Sequence, residues 1–194
     1  GGAAPAQGAR KAKRSWRVVA RLTDVMSFIL RLSARDGVLE PLVPLLVGAD
    51  YEAGAGFRTS GGYFLPNGIF LGGGTYFPRQ MALGASRDSG LAFEQGRITA
   101  IEGRAVGVHM AFTPVLDVNN NPGNPVIGPR SFGEDPALVA SLGAAMISGL
   151  QTNGMLATAK HFPGHGDTDQ NSHLSITEVN ASRPRLDSVE LPPF

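Results

Sequence analysis

Cysteine is absent from all 194 residues. That excludes disulfides and any thiolate-bound metal, but it does not by itself choose a compartment. The chain is read as soluble, and as cytoplasmic rather than exported. Charge is also sparse: Asp, Glu, Lys and Arg make up 17%, against a usual ~25%. With a net charge of +1, no global field draws the protein to nucleic acid or an anionic surface. Apolar runs stay well short of the ~18 residues that a membrane-spanning helix needs.

Glycine is what the chain has in excess, 26 residues, nearly twice the typical ~7%, together with 14 prolines. Such a composition suits many loops between regular elements, and loops held by a scaffold usually carry the site. Eight of the 17 basic residues lie before position 36. Within residues 10–35, Trp16, Val19, Leu22, Val25, Met26, Ile29 and Leu30 recur every three or four positions. This spacing predicts an amphipathic helix with a solvated basic face.

From Pro41 onward the pattern alternates. Val43–Ala49 reads as a buried strand ending at Asp50, and residues 53–78 as a long irregular loop. Residues 88–106 read as a helix with Leu91, Ile98, Ile101 and Ala105 on one face. Val108–Thr113 is a second strand, leading through Pro114 to Asp117, and Asn119–Arg130 is an Asn, Pro and Gly loop. Asp135-Pro136 opens another helix, which stops near Asn153-Gly154. A third strand, Met155–Lys160, ends at His161, and Arg183–Glu190 begins a further helix. Repeated strand, loop and helix is the rhythm of parallel βα units. Each polar, ionisable group falls just past a strand's C-terminal end, where α/β barrels place their sites. The fold class expected is therefore α/β, a partial (β/α)8 barrel, with a small open sheet as the alternative. Residues 1–40 form a separate basic segment, and 41–194 the first part of the barrel.

The segment richest in chemistry runs from Lys160 to His173 and holds three of the four histidines. Gly164 and Gly166 allow unusual backbone angles and the close approach of a ligand. A loop of this kind suits a histidine general acid/base. His161, His165, Asp167 and His173 also offer metal-ligating atoms, but their spacing matches no standard metal motif, and no metal is expected.

This segment resembles the KHFPGHGDTxxDSH stretch of glycoside hydrolase family 3, in its bacterial β-N-acetylglucosaminidase group. Arg130–Pro136 is similar to the family's RSFGEDP, and Ala111–Val118 to its FAPVLDV strand end. Phe77-Pro78 with Met81–Ala85, and Asp50–Arg58 against DxEGGxVxR, match in the same order. Together these stretches cover residues 41–194.

The resemblance implies the N-terminal half of a (β/α)8 catalytic domain. It implies a retaining exo-enzyme that removes non-reducing terminal N-acetylglucosamine and needs no cofactor. The partner implied is a carbohydrate, with no nucleic acid and no membrane span. Asp50, Arg58, Arg130, Lys160 and His161 would line the sugar subsite, Asp50 accepting hydrogen bonds and the others donating them. His173 would be the acid/base. Sister β-glucosidases lack the loop histidine, so the loop favours the hexosaminidase reading over a β-glucosidase. Asn171 stands where the family has an Asp orienting that histidine, which weakens the base and keeps open a non-catalytic sugar-binding remnant. The family nucleophile belongs to a later strand, beyond Phe194. The chain alone is accordingly expected to be inactive and to self-associate or to pair with its missing half. Glu134 and Asp135 are read as helix caps, and Asp117 as either structural or near the substrate.

Overall fold

The structure is a computed structural model that describes residues 46–59, 63–64, 69–70, 72–172, 174, 177–179 and 181–194. The helix expected over 10–35 lies outside these residues. Three strands, β1 (Gly48–Ala49), β4 (Met110–Ala111) and β5 (Leu156–Ala157), form a parallel sheet in the order β1-β4-β5. Gly48 pairs with Met110 and Met110 with Leu156. Backbone pairing continues past these short cores: Thr158 N–H donates to Thr113, Lys160 N–H to Pro114, and Leu116 N–H to Lys160. Gln80 supports the other side of this extension. Its amide accepts from Val115 N–H at 3.0 Å and donates to Val115 C=O at 3.2 Å, doing for an irregular strand end what a neighbouring strand would do.

Helices α1 (Gln80–Ser86) and α2 (Ser89–Ala105) connect β1 to β4, and α3 (Pro136–Gln151) connects β4 to β5. Parallel neighbours require crossovers of this kind. The helix limits follow local chemistry. Asp88 caps α2 by accepting from Gly90 and Leu91 N–H. Asp135 caps α3 through Ala137 N–H at 3.0 Å, with Pro136 in the first turn. Gly154, at φ 78°, lies just past the end of α3, a backbone angle that glycine adopts without strain. Glu134, also expected to cap, is exposed.

Two expectations fail. The loop over 53–78 contains a 3-10 turn, Ala55–Phe57, and an antiparallel ribbon of β2 (Tyr63–Phe64) with β3 (Ile69–Phe70). The apolar stripe expected to bury α2 is on its outside: Leu91 is 50% and Ile101 48% exposed. Ala92, Gln95, Gly96, Thr99, Ala100 and Gly103 are buried instead. The reason is a close helix seam. A Cβ on Gly96 would fall 2.3 Å from Met146 O, and one on Gly149 2.1 Å from Phe93 O. Backbone meets backbone there, and only small residues fit. Larger residues fill the layer between helices and sheet, where Tyr51, Leu116, Val118, Phe132, Leu142, Met146, Leu150 and Met155 are each at most 1% exposed. Among the described residues no helix is long and apolar enough to cross a membrane.

Candidate active site

The strand ends converge on a cavity of about 670 Å3. Asp50 and Glu52 follow β1, Arg130 ends a 3-10 turn (Gly128–Arg130), and Lys160 and His161 follow β5. Arg58 and Arg79 come from the irregular segment between β1 and α1, and Phe57, Met110 and Phe112 supply apolar wall. All five residues expected to bind sugar, Asp50, Arg58, Arg130, Lys160 and His161, line this one space.

Glu52 is the hub, and the sequence reading passed over it. It is 7% exposed and grips Arg130 with both oxygens, Nε at 2.9 Å and Nη2 at 2.7 Å. Lys160 Nζ lies 2.8 Å from Glu52 Oε1 and 2.8 Å from Asp50 Oδ1. Burial alone would raise the Glu52 pKa, but Arg130 and Lys160 outweigh it and hold the group down at about 2. Arg130 is burdened by burial in turn, yet its pKa rises because Glu52 favours the charged form. The family-like segment around Asp50 contained Glu52; its burial beside two cations was the missing signal, visible only once the chain folds.

Asp117, left undecided from sequence, is fully buried and organises the loop after β5. It accepts from the backbone N–H of His161 at 3.3 Å and of His165 at 2.6 Å. Its other oxygen lies 2.6 Å from His161 Nδ1. Arg130 Nη2 approaches His161 Nε2 at 3.3 Å and has only protons to offer. These partners assign the ring proton to Nδ1, directed at Asp117, and make Nε2 an acceptor.

The Asn-rich loop fastens the histidine segment. Asn124 Nδ2 donates to His165 O at 2.7 Å and Gly166 O at 3.2 Å, and Asn121 Nδ2 to Asp167 and Thr168 carbonyls at 3.3 Å. Gly166 is pressed onto the strand end, where a Cβ would stand 1.7 Å from Val118 O. Gly164, at φ 128°, passes against Glu190. His165 is nearly buried. Its ring meets Thr168 Oγ1 on one side and Ser172 Oγ at 3.0 Å on the other, and burial lowers its pKa. It serves as a hook that shapes the loop. Asn171 lies in this loop with its carbonyl accepting from Leu174 N–H at 2.9 Å. His173 lies outside the described residues. Among the described residues no three His, Asp or Glu side chains come together to hold a metal ion.

Known proteins resemble this chain in sequence and backbone. A β-hexosaminidase of Neisseria meningitidis serogroup C is 34% identical over 190 residues, 94% of this chain and 47% of that protein. β-Hexosaminidase A of Pseudoalteromonas piscicida is 34% identical over 78% of this chain and 24% of its own length. The solved glycoside hydrolase family 3 β-N-acetylglucosaminidase of Paenibacillus sp. str. FPU-7 is 49% identical at a TM-score of 0.67, over 78% of this chain and 27% of that one. NagZ from Neisseria gonorrhoeae, solved with N-trifluoroacetyl-D-glucosamine, is 34% identical at a TM-score of 0.62, over 77% and 42%. The chain thus spans about half or less of the length of the relatives it matches. Residues 23–194 match the N-terminal domain of glycosyl hydrolase family 3, and the chain belongs to that family.

Proposed function

We propose that this chain supplies the sugar-holding part of a retaining exo-β-N-acetylglucosaminidase. The observation that carries the reading is the convergence of Asp50, Arg130, Lys160 and His161 on one cavity that also has apolar walls. A pyranose presents both surfaces: hydroxyls that donate and accept, and an apolar ring face. Asp50 offers acceptor oxygens; Lys160 and Arg130 offer donors whose directions Glu52 fixes in advance. Such preorganisation spares the side-chain ordering that binding otherwise costs. His173 follows the fastened part of the loop and is the proposed acid/base, delivering a proton to the departing oxygen and later taking one from water. Asn171 can orient an imidazole but adds no charge to stabilise its protonated form, so this base is proposed to be weaker than its aspartate-backed counterparts. The bound partner is a saccharide ending in N-acetylglucosamine, and the site is proposed to need no cofactor. Association of the chain with itself or with a complementary barrel half is part of the same proposal.

A second reading, a sugar-binding module without turnover, is favoured by Asn171. Two measurements on the 194-residue chain test what the readings share, and turnover by the chain joined to a complementary barrel half separates them. Calorimetric titration with N-acetylglucosamine is expected to show saturable binding, lost in Lys160→Ala; no binding by the wild type defeats both readings. Release of nitrophenol from p-nitrophenyl N-acetyl-β-glucosaminide is expected to be undetectable, and measurable turnover overturns the expectation that this chain alone is inactive. In the chain joined to a complementary barrel half, Asn171→Asp is expected to raise turnover and move the pH–rate profile; an unchanged profile removes Asn171 as the reason for a weak base.

A further inference from the structure

Glu190 is 1% exposed, yet it does not line the cavity. It ends a π turn, Leu186–Glu190, that continues the short helix α4 (Arg183–Arg185). A carboxyl is costly to bury without partners, and those of Glu190 lie in the histidine segment and just beyond Asp117. The stretch 185–194 meets the histidine segment at three places, in opposite chain order. Phe194 packs edge-on against Phe162 at 5.6 Å, Glu190 lies on Gly164, and Arg185 Nη2 stands 3.4 Å from Asp167 Oδ2. A Cβ on Gly164 would fall 2.9 Å from both Cβ and Oε2 of Glu190, so this approach needs glycine. Glu190 Oε1 also accepts from Asn120 Nδ2 at 3.4 Å. Gly164 N–H in turn donates to His161 O at 2.8 Å, which carries the hold to the cavity edge.

What Glu190 brings to this place is shape and hydrogen bonding rather than charge. Burial raises its pKa above the ordinary glutamate value, Asn120 and Arg185 oppose that only in part, and Asp167 adds to it. Arg185 Nε stays 3.5 Å away and is buried without a hydrogen-bond partner among the described residues. Glu190 Oε2 and Asn120 Oδ1 are buried and unpartnered among them too. A neutral group able to donate as well as accept suits such surroundings better than an anion, which only accepts.

We propose that Glu190 is a positioning residue for the histidine segment: by its shape and hydrogen bonding it seats Gly164 against Asn120 and fixes the course of residues 161–168. This role rests on the acid/base function proposed above for the loop that these residues begin. Because Glu190 does not line the cavity, it serves proton transfer and not the holding of the sugar.

Amide exchange, sugar titration and turnover test this. In the 194-residue chain, Glu190→Ala and the shorter Glu190→Asp are expected to speed exchange across 163–168 by about tenfold, while α2 and α3 keep their protection. Glu190→Gln, equal in size and able to donate, is expected to stay close to the wild type. Affinity for N-acetylglucosamine is expected to change by less than about twofold in Glu190→Asp and Glu190→Gln. In the chain joined to a complementary barrel half, Glu190→Asp is expected to lower kcat by about tenfold with KM little changed, and Glu190→Gln to restore it. Unchanged exchange across 163–168 in Glu190→Asp overturns the proposal. So does loosening in Glu190→Gln as large as in Glu190→Asp, which would make charge the hold. A loss of protection throughout α2 and α3 in Glu190→Asp, or a fall in kcat/KM carried by KM, marks a general structural role and overturns it as well. Should Glu190→Ala fail to fold, the contrast between Glu190→Asp and Glu190→Gln decides. A wild type that binds no sugar defeats the sugar-binding reading, and the exchange comparison still judges Glu190.

Discussion

Glu52, Arg130 and Lys160 hold the cavity wall with ion pairs of 2.7–2.9 Å, whereas amides and hydroxyls of Asn121, Asn124 and Thr168 hold the adjoining histidine segment. Both regions are part-buried, and both hang on the ends of the same strands. They differ in what disturbs them. A charged wall answers to pH and to the loss of a single partner; an amide-fastened loop answers to shape. The difference teaches that binding and proton transfer, if they divide between these regions as proposed, can fail independently.

The largest effect expected is from Glu52→Gln, which leaves Arg130 and Lys160 buried beside Asp50 alone. Breaking a buried pair in this way typically costs about 3–5 kcal/mol, measurable as a lower urea midpoint together with loss of sugar binding. The same carboxylate predicts the acid response. Its folded pKa of about 2 lies below the ordinary glutamate value of 4.5, so its stabilisation is complete above roughly pH 5 and disappears as pH falls toward 2, about 3 kcal/mol in all. Unfolding midpoints followed from pH 6 to 2 are expected to drop steeply in the wild type and much less in Glu52→Gln. Parallel slopes would mean that the wall is not held by this charge.

Gly166→Ala comes next. Its methyl cannot fit 1.7 Å from Val118 O, and the forced shift is expected to cost about 1–3 kcal/mol. Amide exchange is expected to rise across 163–168 while binding of neutral sugar weakens less than in Glu52→Gln. Asn124→Ala removes donors to two loop carbonyls and the acceptor for Val126 and Ile127 N–H. A loss of about 1–2 kcal/mol is expected, unchanged between low and high salt; a clear salt dependence would erase the contrast between the regions. Smallest of all, Ile101→Ser on the outer face of α2 is expected to stay within about 0.5 kcal/mol, where a core-facing isoleucine would cost several.

That last position shows where sequence reading stops. The βα order, the limits of α2 to within a residue and the Asp135 cap were legible because period and capping chemistry are local signals; the five cavity residues were reached through the family resemblance. The buried face of α2 was not. Hydrophobic patterning marks Leu91 and Ile101, but backbone contact at Gly96 and Gly149 decided the orientation, and small residues carry no hydropathy signal. The ribbon at 63–64 and 69–70 was hidden in a glycine-rich stretch that reads as loop. Glu52 and Asn124 looked unremarkable because their importance lies in partners 78 and 41–42 positions away.

The seam between α2 and α3 has a mechanical consequence. A joint lined with long side chains yields under load, since each chain can swap rotamers; where peptide planes abut, nothing is available to give. The two helices must tilt and slide as one piece, and each strand end attached to them inherits that stiffness. Preorganised groups must be held to within about half an ångström, and the close packing at Gly96 and Gly149 is one source of the rigidity this needs.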